Sequence, residues 1–123
     1  MIYGLGTDIV EVDRIKNSIE KYGNKFLNKV FTEIEISYCE SYKDTKYPHY
    51  AARFAVKEAF SKAIGTGFTK GFKLNEIGVK NEENGKPVIE LFGSLSEKWS
   101  SYKLFLSLSH SNINATASVI IEK

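Results

Sequence analysis

Cysteine is nearly absent. The single Cys39 excludes an intrachain disulfide and suits a reducing compartment, so a cytoplasmic location is expected. No apolar run approaches the ~20 residues that a membrane helix needs. No basic segment followed by an apolar stretch opens the chain, so neither a membrane partner nor a secretory signal is expected. Neither sign of charge prevails, since 17 cations against 15 acids leave only +2. That balance argues against a nucleic-acid-binding module, which needs a markedly basic face. Repeats, low-complexity runs and Pro/Gly/Ser linkers are missing as well. At 123 residues the expectation is one domain, 1–123, with one modest core. The chain has no G-x-S-x-G elbow, no G-x-x-x-x-G-K-[ST] loop and no G-x-G-x-x-G fingerprint.

The patterning that is present is clear. Residues 2–10, β-branched and aromatic between glycines, read as a strand. Asp13 is placed to cap a helix from Arg14 to about Tyr22 that stops at Gly23. Phe26, Leu27 and Val30 make a short apolar patch, and Thr32 with Glu35 has capping-box spacing for a helix to about Tyr42. Pro48 opens the longest helix, 48–64, so densely apolar that it should be central and touched from several sides. Gly65 and Gly67 end it. Residues 72–80 and 87–92 flank the hairpin signal Asn84-Gly85. A short helix near 95–101, capped by Ser94, precedes strands 103–109 and 115–121. Strand, helices, then a meander-like antiparallel set predict an α+β fold.

Chemistry concentrates in a few places. Asp8 interrupts an apolar strand, which is costly unless the charge is paired, exposed or metal-bound. Glu58 lies one turn before Lys62. Arg53 and Lys57 share that spacing on a neighbouring strip, either as solvated charges or as anion ligands. Two carboxylates, Asp8 and Glu58, match what Mg²⁺ asks of a protein when phosphate and water complete its shell. From Arg14 to Lys29, five cations face one acid, Glu20. Such a strip is either a solvated face or a docking surface for an acidic partner.

The segments Gly6-Thr7-Asp8-Ile9-Val10-Glu11-Val12-Asp13-Arg14-Ile15, Arg53-Phe54-Ala55-Val56-Lys57-Glu58-Ala59-Phe60-Ser61-Lys62-Ala63-Ile64-Gly65-Thr66-Gly67, Asn84-Gly85-Lys86-Pro87 and Ser107-Leu108-Ser109-His110-Ser111 occur in this order. In these, and from Ile2 to about Ile121, the chain closely resembles holo-acyl-carrier-protein synthases, small bacterial 4′-phosphopantetheinyl transferases. The resemblance implies an α+β homotrimer with active sites at subunit interfaces. It implies Mg²⁺-dependent transfer of phosphopantetheine from coenzyme A to a serine of acyl carrier protein, releasing adenosine 3′,5′-bisphosphate, in fatty acid biosynthesis. Residue by residue, it implies Asp8 and Glu58 as metal ligands and Lys62 beside the transferred phosphate. It places Arg53, Lys62, Gly65, Gly85, Lys86, Pro87 and His110 along coenzyme A, and Arg14 at the carrier, with Lys21 and Lys25 on the same strip. The serine proton would pass to Glu58 or to a metal-bound water. Thr7 and Asn114 depart from the family pattern, which favours an aliphatic and an aromatic there. A coenzyme A pyrophosphatase is the competing reading, although the chain has no R-E-x-x-E-E helix.

Overall fold

The structure, a computed structural model, describes residues 1–65 and 72–123. Thr66 and Gly67 lie outside the described residues. Strand β1 (Ile2–Glu11) leads directly into helix α1 (Val12–Tyr22), followed by α2 (Asn24–Val30) and α3 (Glu33–Glu40). Helix α4 (Tyr47–Ile64) is next, then strands β2 (Ile77–Asn81) and β3 (Pro87–Leu91), helix α5 (Gly93–Trp99), and strands β4 (Lys103–His110) and β5 (Asn114–Glu122). This is the expected α+β class, with antiparallel sheets throughout.

The strands do not form one meander. They split into a three-stranded sheet of order β1-β5-β4 and a separate β2-β3 hairpin. The last strand takes the middle place, pairing Asp8 with Ala117 and Ala117 with Leu108. One face of that sheet carries Val10, Ala115, Ala117, Val119 and Ile121, all buried, and packs on α4. The other face leaves Tyr3, Leu5, Ile9 and Phe105 exposed, Leu5 and Ile9 at 64% and 65%.

Small residues let α4 lie close to the sheet. A Cβ on Gly4 would stand 2.0 Å from the Ala63 carbonyl oxygen, and one on Gly6 only 1.9 Å from that of Ala59. Any side chain at either glycine would push the helix away. Pro48 sits in the first turn of α4, where its missing N–H costs nothing, and Gly65 ends the helix in the left-handed region, φ 85°.

Several local expectations shift. Helix α1 starts two residues early, with Glu11 at its cap and no side-chain bond there, so Asp13 lies in the first turn rather than capping. The reason is that β1 runs straight into the helix, and the Val12 N–H is taken by the Ile113 carbonyl. Ser94 is likewise inside α5; its N–H and hydroxyl both donate to the Glu76 carboxylate. Leu74–Glu76 form a 3₁₀ turn before β2 rather than the start of the strand. The Thr32–Glu35 capping box is present, although α3 ends at Glu40 rather than near Tyr42. Of the two departures, Thr7 donates from Oγ1 to the Ala117 carbonyl, and Asn114 closes the 111–114 turn through Ser111.

Candidate active site

Asp8 sits on the α4 side of β1, in line with Gly4, Gly6 and Val10. The glycine contacts bring α4 so near that Lys62 reaches across to it. Lys62 Nζ donates to Asp8 Oδ1 at 3.1 Å and to the Thr7 carbonyl at 3.0 Å. The lysine side chain is 54% exposed and the aspartate 15%. Glu58, one turn earlier, is half-buried beside them. Burial, and then the Asp8 charge, raise its carboxyl above the usual range, while Arg14 and Lys62 pull it back. Among the described residues the Glu58 carboxylate accepts no hydrogen bond. Arg14 completes the group from α1, its guanidinium 5.6 Å above the Phe54 ring.

A second group gathers around the other side of α4. Arg53 is 2% exposed, with its guanidinium 4.2 Å over the Tyr38 ring. It donates through Nη1 to the His49 carbonyl and through Nη2 to Asn81 Oδ1, each at 3.3 Å, while Nε has no partner among the described residues. Asn81 Nδ2 then donates to the Gly85 carbonyl at 3.0 Å, in the turn before Lys86 and Pro87. His49 stacks on Tyr42 at 3.6 Å and meets the edge of His110 at 4.7 Å. Burial, and then the His110 and Arg53 charges, push His49 down to about 4. Thus Arg53, Gly85 and His110, far apart in sequence, belong to one connected cluster with exposed Lys86. Arg53 does not line an open surface in this chain: a phosphate reaches its guanidinium only if Tyr38 or the hairpin moves. Gly65 is remote from this cluster, at the Lys62 end of α4.

Lys57 is neither a solvated charge nor an open anion ligand. It is fully buried, donating to Glu35 Oε1 at 2.8 Å, to the Leu74 carbonyl at 3.1 Å and to the Ile77 carbonyl. Glu35 also accepts from the Thr32 and Val79 N–H groups. Burial pulls the Lys57 ammonium down and the Glu35 carboxylate resists. Lys21 and Lys25 stand exposed on α1 and α2, and Lys25 joins Tyr22, Phe26 and Lys29 around a recess of about 290 Å³. A larger cavity, about 500 Å³, is lined by Phe31, Ile34, Ile36 and Phe92 among others, none of them in the acidic cluster.

Residues 4–117 match the family model described as the 4′-phosphopantetheinyl transferase superfamily. The chain belongs to that family. Within it the curated relatives are holo-[acyl-carrier-protein] synthases. That of Ruminiclostridium cellulolyticum is 51% identical over 120 residues, covering 95% of this chain and 90% of the relative. That of Wolbachia pipientis is 46% identical, covering 98% of each. The Bacillus anthracis synthase crystallised in complex with CoA (3′,5′-ADP) superposes with a TM-score of 0.83 at 36% identity, covering 99% of this chain and 97% of that one. The Helicobacter pylori synthase in complex with coenzyme A gives 0.83 at 31%, covering 96% and 99%. The chain is therefore an enzyme of the holo-acyl-carrier-protein synthase type, a phosphopantetheinyl transferase.

The residues that sequence reasoning missed are His49, Asn81 and the Glu35–Lys57 pair. Gly4 and Gly6 carried a readable signal, since they alternate with Asp8 on one strand face and so mark a close approach. Asn81 carried none, because its bond to Arg53 joins elements that only the fold brings together, even though Gly85 lies just four residues on.

Proposed function

We propose that this chain is a single-domain, Mg²⁺-dependent transferase that moves 4′-phosphopantetheine from coenzyme A to a serine of acyl carrier protein, in the cytoplasm, for fatty acid biosynthesis. The observation that carries the reading is the meeting of Asp8, Glu58, Lys62 and Arg14 at one point of the surface. The donor set fits a hard divalent cation. Asp8 already accepts a cation, the Lys62 ammonium, and Glu58 offers beside it a carboxylate that accepts no hydrogen bond among the described residues. Bound there, Mg²⁺ would supply positive charge beside the pyrophosphate of coenzyme A.

The residues divide the work as follows. Lys62, half-exposed at the end of its stem, turns to the phosphoryl oxygens. The serine oxygen forms a bond to the pantetheine phosphorus, and the bridging P–O bond breaks. Adenosine 3′,5′-bisphosphate leaves with the bridge oxygen. Glu58, the open carboxylate of the cluster, takes the serine proton. Arg14, with Lys21 and Lys25 beyond it, meets the acidic carrier. The second cluster, with Gly85, Lys86, Pro87 and His110 at the surface and Arg53 as a positive charge behind them, receives the nucleotide end. Gly65 lies close enough to Lys62 to face the pyrophosphate.

Two copies are needed to use both clusters together. Arg53 and Lys62 are nine residues apart on α4, and about 100° per residue puts them on opposite sides of the helix. The homotrimer supplies this, with the bare apolar sheet face of Leu5, Ile9 and Phe105 as the contact surface. The test is mass spectrometry of apo acyl carrier protein incubated with the chain, coenzyme A and Mg²⁺. A gain of one phosphopantetheine, abolished by EDTA, is expected. Hydrolysis of coenzyme A without carrier modification would overturn the reading. Light scattering decides the trimer by mass.

A further inference from the structure

The hairpin that carries Gly85, Lys86 and Pro87 is exposed at its tip, yet one side chain ties it to the core. Asn81 ends β2, and both halves of its amide are used. The oxygen accepts from buried Arg53 Nη2 at 3.3 Å, and the nitrogen donates to the Gly85 carbonyl at 3.0 Å. Arg53 is itself buried, lying under Tyr38 and bonded to the His49 carbonyl. The turn thus has an anchor on α4, the helix that also bears Glu58 and Lys62.

The rest of the turn depends on the position of Gly85. The Gly85 N–H donates to the Glu82 carbonyl, the Glu82 N–H to the Lys86 carbonyl, and the Lys86 N–H to Asn84 Oδ1. Gly85 has φ 88°, a conformation open at low cost only to glycine. Without the Asn81 bond, the carbonyl of Gly85 has no partner among the described residues, and the direction of Lys86 is no longer set.

We infer that Asn81 is a positioning residue for coenzyme A: it clasps the Gly85 carbonyl to Arg53 and so aims the 84–87 turn at the nucleotide. This rests on the proposed placement of coenzyme A against Gly85, Lys86 and Pro87. Asparagine is required because the position needs an acceptor toward a guanidinium and a donor toward a carbonyl on one short side chain. Aspartate keeps the first and loses the second; leucine loses both.

The experiment measures steady-state transfer to apo carrier protein for the wild type, Asn81→Asp and Asn81→Leu, with calorimetric binding of coenzyme A and hydrogen exchange over residues 82–86. Both variants are expected to raise KM and Kd for coenzyme A about three- to tenfold, the scale of one lost hydrogen bond. The turnover at saturating coenzyme A and the KM for carrier should stay within about twofold of wild type. Exchange at the Gly85 and Lys86 amides should quicken in both. A role confined to folding would instead lower the melting temperature and the active fraction, leaving KM for coenzyme A in place, and that result overturns the inference. Asn81→Asp, nearly isosteric, keeps the question answerable if Asn81→Leu fails to fold. Unchanged coenzyme A affinity in Asn81→Asp with quickened exchange at Gly85 also overturns it. A wild type that does not bind coenzyme A at all refutes the placement of the substrate instead, and is distinguished by that arm alone.

Discussion

Two sides of α4 carry charge in opposite ways. On one side Arg53 and Lys57 are buried and bonded to β2, the 3₁₀ turn and the α3 cap. On the other, Glu58 and Lys62 face β1 and α1 with bonding capacity to spare, Lys62 half-exposed and Glu58 accepting no hydrogen bond among the described residues. Lys57 and Glu58 are adjacent in sequence, yet the first is a structural ion and the second is free for chemistry. A buried ion pair is seldom a net gain over apolar packing, but removing one partner is expensive. An open carboxylate beside another carboxylate costs stability, and that is the usual state of a site built to receive a cation.

This contrast is broken most severely at Lys57. Lys57→Ala leaves Glu35 charged in the core and should cost about 3–5 kcal/mol, a large share of a small domain's stability. Urea denaturation measures it, and a loss under about 1 kcal/mol would mean that the pair is not the clamp that the geometry indicates. Glu58→Ala should do the reverse. Turnover should fall about 10²–10³-fold, while the melting temperature holds or rises because the repulsion with Asp8 is gone. Normal activity in that variant would take the open side out of the chemistry.

Charge reversal at Arg14 sharpens the comparison at its edge. Arg14→Glu should raise the KM for carrier several-fold at low salt and leave that for coenzyme A alone. The defect should shrink as salt rises, since steering is screened over about 8–10 Å at physiological ionic strength. An equal carrier KM at low salt would return α1 to a solvated face.

The smallest effect is a pH dependence on the buried side. His49 is held down to about 4, against about 6.5 in the unfolded chain. The unfolded state therefore binds the proton first. The stability present above about pH 6.5 should drain away as the pH falls toward 4. Melting curves of wild type and His49→Phe should diverge over that window, with the variant the flatter; parallel curves would show that His49 titrates normally.

Much of the architecture was legible because its causes are local. The capping box at Thr32, Pro48 at the start of α4, Gly65 at its end and the Asn84-Gly85 turn each act within a few residues. The acidic pair was less legible, because Asp8 in an apolar strand reads equally as an exposed or paired charge, and it was the resemblance that joined it to Glu58. Asp13 and Ser94 misled as caps, because a cap rule cannot see that Val12 is already bonded to Ile113 or that Ser94 is turned to Glu76.

By itself the sequence determined the class and order of the main elements, though not helix α2 or the 3₁₀ turn at 74–76, and which charges stand in apolar surroundings, since propensity and periodicity depend on near neighbours. Only the tertiary structure decided that β5 lies between β1 and β4, that Lys57 points inward and Glu58 outward, and that Asn81 joins Arg53 to Gly85. Those outcomes depend on which distant element packs against each side of α4. One residue's rotation of about 100° is enough to exchange a buried ion pair for an open site.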